Sequence, residues 1–158
     1  MGSATATGTV KRIPLSGLAD AASYGYSAGG PPYQWQFMSV ASDHAGVCAD
    51  AGGTWRDSEI TLRLDMIGYA PSGPAPVYPP AADLPLAMTA NQALTTSDGV
   101  QRTCVPYVMQ AKNGNQGTDQ GATSGTVTVT QWDSAGVAAS WDLYFGSDHA
   151  TGSLSAPW

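Results

Sequence analysis

Apolar and polar residues alternate with a period of two along much of this 158-residue chain, the spacing of half-buried strands rather than of helices. Residues 58–69, SEITLRLDMIGY, show it best. Ile60, Leu62, Leu64 and Met66 point one way, and Glu59, Thr61, Arg63 and Asp65 the other. Residues 33–41 set Tyr33, Trp35 and Phe37 against Gln34, Gln36 and Met38. Residues 3–13 predict an edge strand ending at Pro14, and residues 100–111 a strand interrupted at Pro106. The C-terminal segments GTVTVTQWD, VAASWDLYFG and ATGSLSAPW predict a three-strand antiparallel meander, with turns every 8–12 residues or about that.

The intervening stretches carry less pattern. LSGLADAAS, from residue 15, suggests a helical turn, followed by a Gly- and Tyr-rich loop closed by Pro31-Pro32. Residues 42–57 predict a long loop holding Cys48 and Trp55, and the proline-rich run 70–85 a second one that cannot join a sheet centre. Residues 86–97 fit either weak helical spacing or an edge strand. Residues 112–125 predict a polar turn, with Asn113-Gly114 suited to a tight hairpin. The expected fold is all-β: one domain over residues 1–158, an antiparallel sandwich of about seven to nine strands with long Pro/Gly-rich loops.

Composition narrows the setting. Six basic residues against twelve acidic ones give a net charge of −6, which argues against nucleic acid and anionic membrane as partners. No run approaches the ~20 apolar residues of a membrane span. Lys11, Lys112 and Glu59 are the only residues of their two types, while Ser, Thr, Ala and Gly abound; that composition suits an exported or surface protein. MGSATATGTVKR lacks an apolar signal core, so any export signal is expected to have been removed. Cys48 and Cys104 allow one disulfide, worth roughly 4 kcal/mol on the chain-entropy model; two buried free thiols are the alternative.

The tail carries a resemblance. Gly125-Thr-Val-Thr-Val-Thr, Gly136-Val137, Trp141-Asp142-Leu143-Tyr144-Phe145 and Thr151-Gly152-Ser153-Leu154-Ser155-Ala156-Pro157 resemble the closing meander of β-sandwich domains in surface lipoproteins of myxobacteria and related bacteria. The chain departs in having Trp141 where Phe is usual and in lacking the Cys that often follows the final Pro. The match covers residues 100–158 best. It implies a sandwich fold and a cell-surface, outer membrane-associated or extracellular location, with no assigned activity.

Five groups of residues invite a chemical reading. Gly25-Tyr26-Ser27-Ala28-Gly29 matches the G-x-S-x-G nucleophile elbow, and Ser27, Asp133 and His149 fall in the order of a hydrolase triad. The segment before it is not a buried strand, and Pro31-Pro32 follows at once, so a plain Gly-Tyr loop is the competing reading. Ser-Asp-His-Ala occurs at 42–45 and 147–150; the pairs Asp43/His44 and Asp148/His149 could share a metal if the loops met, or could simply start turns. Asn113, Asn115 and Asp119 loosely suggest a calcium loop without its distal Glu, and Asp57 with Glu59 a carboxylate pair. Tyr24, Tyr26, Tyr33, Trp55 and Tyr78 fall in or beside expected loops and could stack on sugars, whereas Trp35, Trp132 and Trp141 are expected to fill the core. The sequence therefore favours a non-catalytic, exported β-sandwich with a structural or interaction role and no cofactor. The alternatives are a glycan-binding module using loop aromatics and a small serine hydrolase using Ser27. Assembly into a homo-oligomer or filament stays open.

Overall fold

Alternation of Val, Leu and Trp with Thr, Ser and Asp gives the C-terminal strands one apolar and one polar face, and such strands can stand only as part of a layered structure. The computed structural model describes residues 2–11, 13–28, 33–46, 60–70, 86–90, 92–95, 101–112 and 115–158. Every regular element among them is a β-strand. They are β1 (Ser3–Val10), β2 (Ile13–Pro14), β3 (Asp20–Ala28), β4 (Tyr33–Ser42), β5 (Ile60–Ala70), β6 (Leu86–Thr89), β7 (Ala93–Thr95), β8 (Gln101–Lys112), β9 (Asn115–Gly121), β10 (Ser124–Asp133), β11 (Gly136–Phe145) and β12 (Asp148–Pro157). Twelve strands exceed the seven to nine expected, because short or polar segments also pair.

The strands form two antiparallel sheets, compatible with a sandwich. The first has the order β2-β1-β12-β11-β10-β6; the second runs β3-β4-β5-β8-β7, with β9 also on β8. The expected meander is present as β10, β11 and β12, adjacent and antiparallel. The core lies between the sheets. Val127 and Val129 on β10, Trp141 and Leu143 on β11, and Leu154 on β12 are buried with Ala21, Ala41, Leu62, Leu64 and Cys104 of the second sheet. A void of only about 10 Å³ remains where Leu62, Leu64 and Pro106 face Val127, Trp141 and Leu143. Ser23 ties the layers together: its hydroxyl donates to the Ala156 carbonyl at 2.8 Å. That uses its one proton, so the Ser39 hydroxyl, also 2.8 Å away, is the donor to Ser23.

Several expectations change. The 15–23 segment is not a helical turn; Leu15 and Leu18 plug one end of the core, and β3 starts at Asp20. Residues 3–13 do not form one edge strand; β1 lies between β12 and the two-residue β2. Pro106 does not interrupt β8. Its carbonyl accepts from Ala122 on the outer edge, so its nitrogen faces that edge too, where β7 has ended and β9 begins, and no bond to β5 is lost. The 86–97 segment makes two strands, one in each sheet, turned by Gln92, whose side-chain carbonyl accepts from the Thr89 amide and hydroxyl. The polar 115–121 stretch is a strand, and β8 pairs Lys112 with Asn115 directly, as a two-residue hairpin requires.

The described part of the second sheet also has buried residues on its outer face. Opposite the core side, Ala22, Val40, Thr61 and Asp65 are all buried, so the polar face expected for β5 is not a solvated one. The Arg63 guanidinium lies 3.2 Å from both Asp65 oxygens, pairing the two charges there.

Candidate interaction face

The outer face of the first sheet is the polar half of the same alternation, and strand register turns it into rows. Thr7 on β1 pairs with Thr151 on β12, Thr151 with Asp142 on β11, Asp142 with Thr126 on β10, and Thr126 with Thr89 on β6. A second row runs Thr5, Ser153, Ser140, Thr128, Ala87. Side-chain hydrogen bonds join Thr7 to Thr151 at 2.9 Å and Thr5 to Ser153 at 3.1 Å. No Lys or Arg side chain belongs to either row. A bulge between Val129 and Gln131 shifts the phase of β10, so Trp132 turns into the core where unbroken alternation would have placed Gln131.

Beside these rows stands an aromatic cluster. Tyr144, 44% exposed, is the one exposed large hydrophobic side chain among the described residues. Its ring stacks on the His149 imidazole with centroids 4.5 Å apart and planes 23° from parallel. His149 Nε2 is 2.7 Å from Asp142 Oδ1. The three residues come together because the β11–β12 turn pairs Phe145 with Asp148 and Tyr144 with His149, and Asp142 lies two residues back on the same face.

Most residues singled out in the sequence lie elsewhere. Ser27 sits within β3, an edge strand paired to Trp35, and not in a strand-to-helix elbow. Asp133 and His149 pair with opposite ends of β11, about 27 Å apart along the strand, so Ser27, Asp133 and His149 do not form a triad. Asp133 closes the β10–β11 turn; the Ala135 amide, then the Gln131 side chain, hold its carboxyl below the usual range. The two Ser-Asp-His-Ala copies make separate contacts. Asp43 Oδ1 takes His44 Nδ1 at 2.6 Å and the Ile60 amide at 3.2 Å, and Asp148 takes the Lys11 amide at 2.6 Å. No group of three or more His, Cys, Asp or Glu side chains among the described residues is placed to hold a metal ion.

Asn115 and Asp119 lie on β9 rather than in a calcium loop, and Asn113, Asp57 and Glu59 lie outside the described residues. Tyr24, Tyr26 and Tyr33 belong to β3 and β4, not to loops. Tyr24 packs with Ala22, Val40 and Met38. The Tyr26 and Tyr33 side chains, and Trp55 and Tyr78 entirely, lie outside the described residues. Trp132 and Trp141 are buried in the core, as expected. Cys104 is a free thiol, so the anticipated bridge to Cys48 is not formed; Cys104 points into the inter-sheet core from the middle of β8, and Cys48 lies outside the described residues. Burial, then the nearby Asp65 carboxylate, pushes the Cys104 thiol far above its ordinary range, so it stays protonated and unreactive. No helix among the described residues is long and apolar enough to cross a membrane.

Compared with known protein families, curated proteins and solved structures, the chain matches none.

Proposed function

We propose that the chain is a non-catalytic, exported β-sandwich module that acts by contact, and that the outer face of its first sheet is the contacting surface. The observation that carries this reading is the pair of five-strand rows, in which nine of ten positions are Thr, Ser or Asp. A face this wide with so little charge differs from the mixed Lys/Glu surface that only keeps a protein soluble. The scarcity of Lys and Glu and the lipoprotein-like tail support an exported, cell-surface setting.

Sedimentation of the fluorescently labelled chain with isolated bacterial cell envelopes tests the reading. The wild-type chain and a Ser134→Lys variant, altered in the β10–β11 turn, are expected to co-sediment. A Thr126→Lys/Ser140→Lys variant, altered in mid-face, is expected to lose about tenfold in affinity or more. Equal co-sedimentation of all three, or of none, rejects this face.

A further inference from the structure

Tyr144 and its neighbours narrow the kind of partner. We infer that the outer face of the first sheet binds an extended neutral polysaccharide, with Tyr144 as its stacking platform and the Thr7–Thr151–Asp142–Thr126–Thr89 row as its hydrogen-bonding track. The inference rests on the reading of this face as the contact surface and specifies its ligand.

Tyr144 leaves nearly half its surface open while its ring is steadied by His149, which Asp142 holds in turn. An aromatic ring fixed before binding loses little rotamer freedom when a ligand lands on it. Its face suits the C–H side of a pyranose, apolar and weakly positive. Sugar hydroxyls need partners that both donate and accept, which Thr and Ser supply; Asp142 adds a strong acceptor.

The ligand is neutral because the rows carry no cation to pair with a sulfate, uronate or phosphate, and Asp142 repels each of them. It is a polymer because the polar track crosses five strands, about 19 Å, in steps of about 4.8 Å, close to the length of one sugar residue in an extended chain. A single sugar would cover Tyr144 and leave most of the track unused.

The test is affinity electrophoresis of the full chain in native gels cast with hydroxyethylcellulose, galactomannan, arabinoxylan or laminarin, with alginate as the anionic contrast. At least one neutral polymer is expected to retard the chain, and alginate is not. Tyr144→Ala is expected to weaken that binding about tenfold or more, and Thr126→Val with Thr151→Val several-fold; Tyr144→Phe, which keeps the ring, stays within about threefold of wild type. All three side chains project outward, and thermal melts check that the variants remain folded. Absence of retardation in every neutral gel, retardation by alginate alone, or undiminished binding by Tyr144→Ala each overturns the inference. If envelope binding still depends on Thr126 and Ser140 in those cases, the sugar assignment falls and the contact face stands. If it does not, both fall.

Discussion

Gly152 has no room for a side chain: a Cβ there would meet the Trp141 ring and the Thr5 carbonyl. Trp141 packs across the gap that glycine leaves between β1 and β11, so Gly152→Ala is expected to cost about 2 kcal/mol, read as a lowered urea midpoint with an unchanged slope. Trp141 itself is imperfectly satisfied, since its buried indole nitrogen finds no hydrogen-bond partner. Trp141→Phe removes that orphan donor along with some packing area, and the two effects offset; a net loss of about 1 kcal/mol is expected. Cys104 makes a pH-dependent contribution. Its folded pKa lies above the unfolded value, so the stability it contributes is complete below about pH 8.5 and is lost as pH rises toward the folded pKa. The stability difference between wild type and Cys104→Ala is therefore expected to shift by about 1 kcal/mol against wild type from roughly pH 8.5 to 9.5 in chemical denaturation. A flat difference would mean that the thiol is not held neutral in the core.

Among the elements, β8 gives the sharpest contrast. Pro106 is tolerated because its nitrogen faces the outer edge, whereas the neighbouring Val105 nitrogen faces β5. Val105→Pro is expected to cost about 3 kcal/mol by deleting a central ladder bond, while Pro106→Val stays within about 1 kcal/mol; thermal melts of the two variants separate them. The sequence marks a proline in this strand but not which side of it faces a neighbour, and so predicts an interruption where none exists. The long strands β4, β5 and β10–β12 were readable because apolar and polar residues alternate along them, and in β10–β12 burial alternates with them. Strand β9, NQGTDQG, has no apolar rhythm for a pattern to reveal. The β10 bulge is equally silent in sequence. The aromatic cluster was half visible: WDLYF places Asp142 and Tyr144 on one face, but joining His149 to them needs the register across the β11–β12 turn.

At the scale of the whole molecule, the two sheets have unlike outer faces. The first presents hydroxyls to solvent. The second, among the described residues, buries Ala22, Val40, Thr61 and Asp65 on its far side, with the Arg63–Asp65 pair among them. The first sheet also joins the two extremes of the described chain, because β1 pairs with β12 in register from Ser3↔Ser155 to Gly8↔Ala150. The β10–β12 meander can assemble through neighbouring segments. Bringing β1 onto it closes a loop of nearly the whole polypeptide, at an entropic cost of about 4 kcal/mol. Refolding should therefore be slow, with docking of β1 among its last steps. Removing the Thr7–Thr151 hydrogen bond by Thr7→Val is then expected to accelerate unfolding in stopped-flow measurements and to leave the refolding limb almost unchanged.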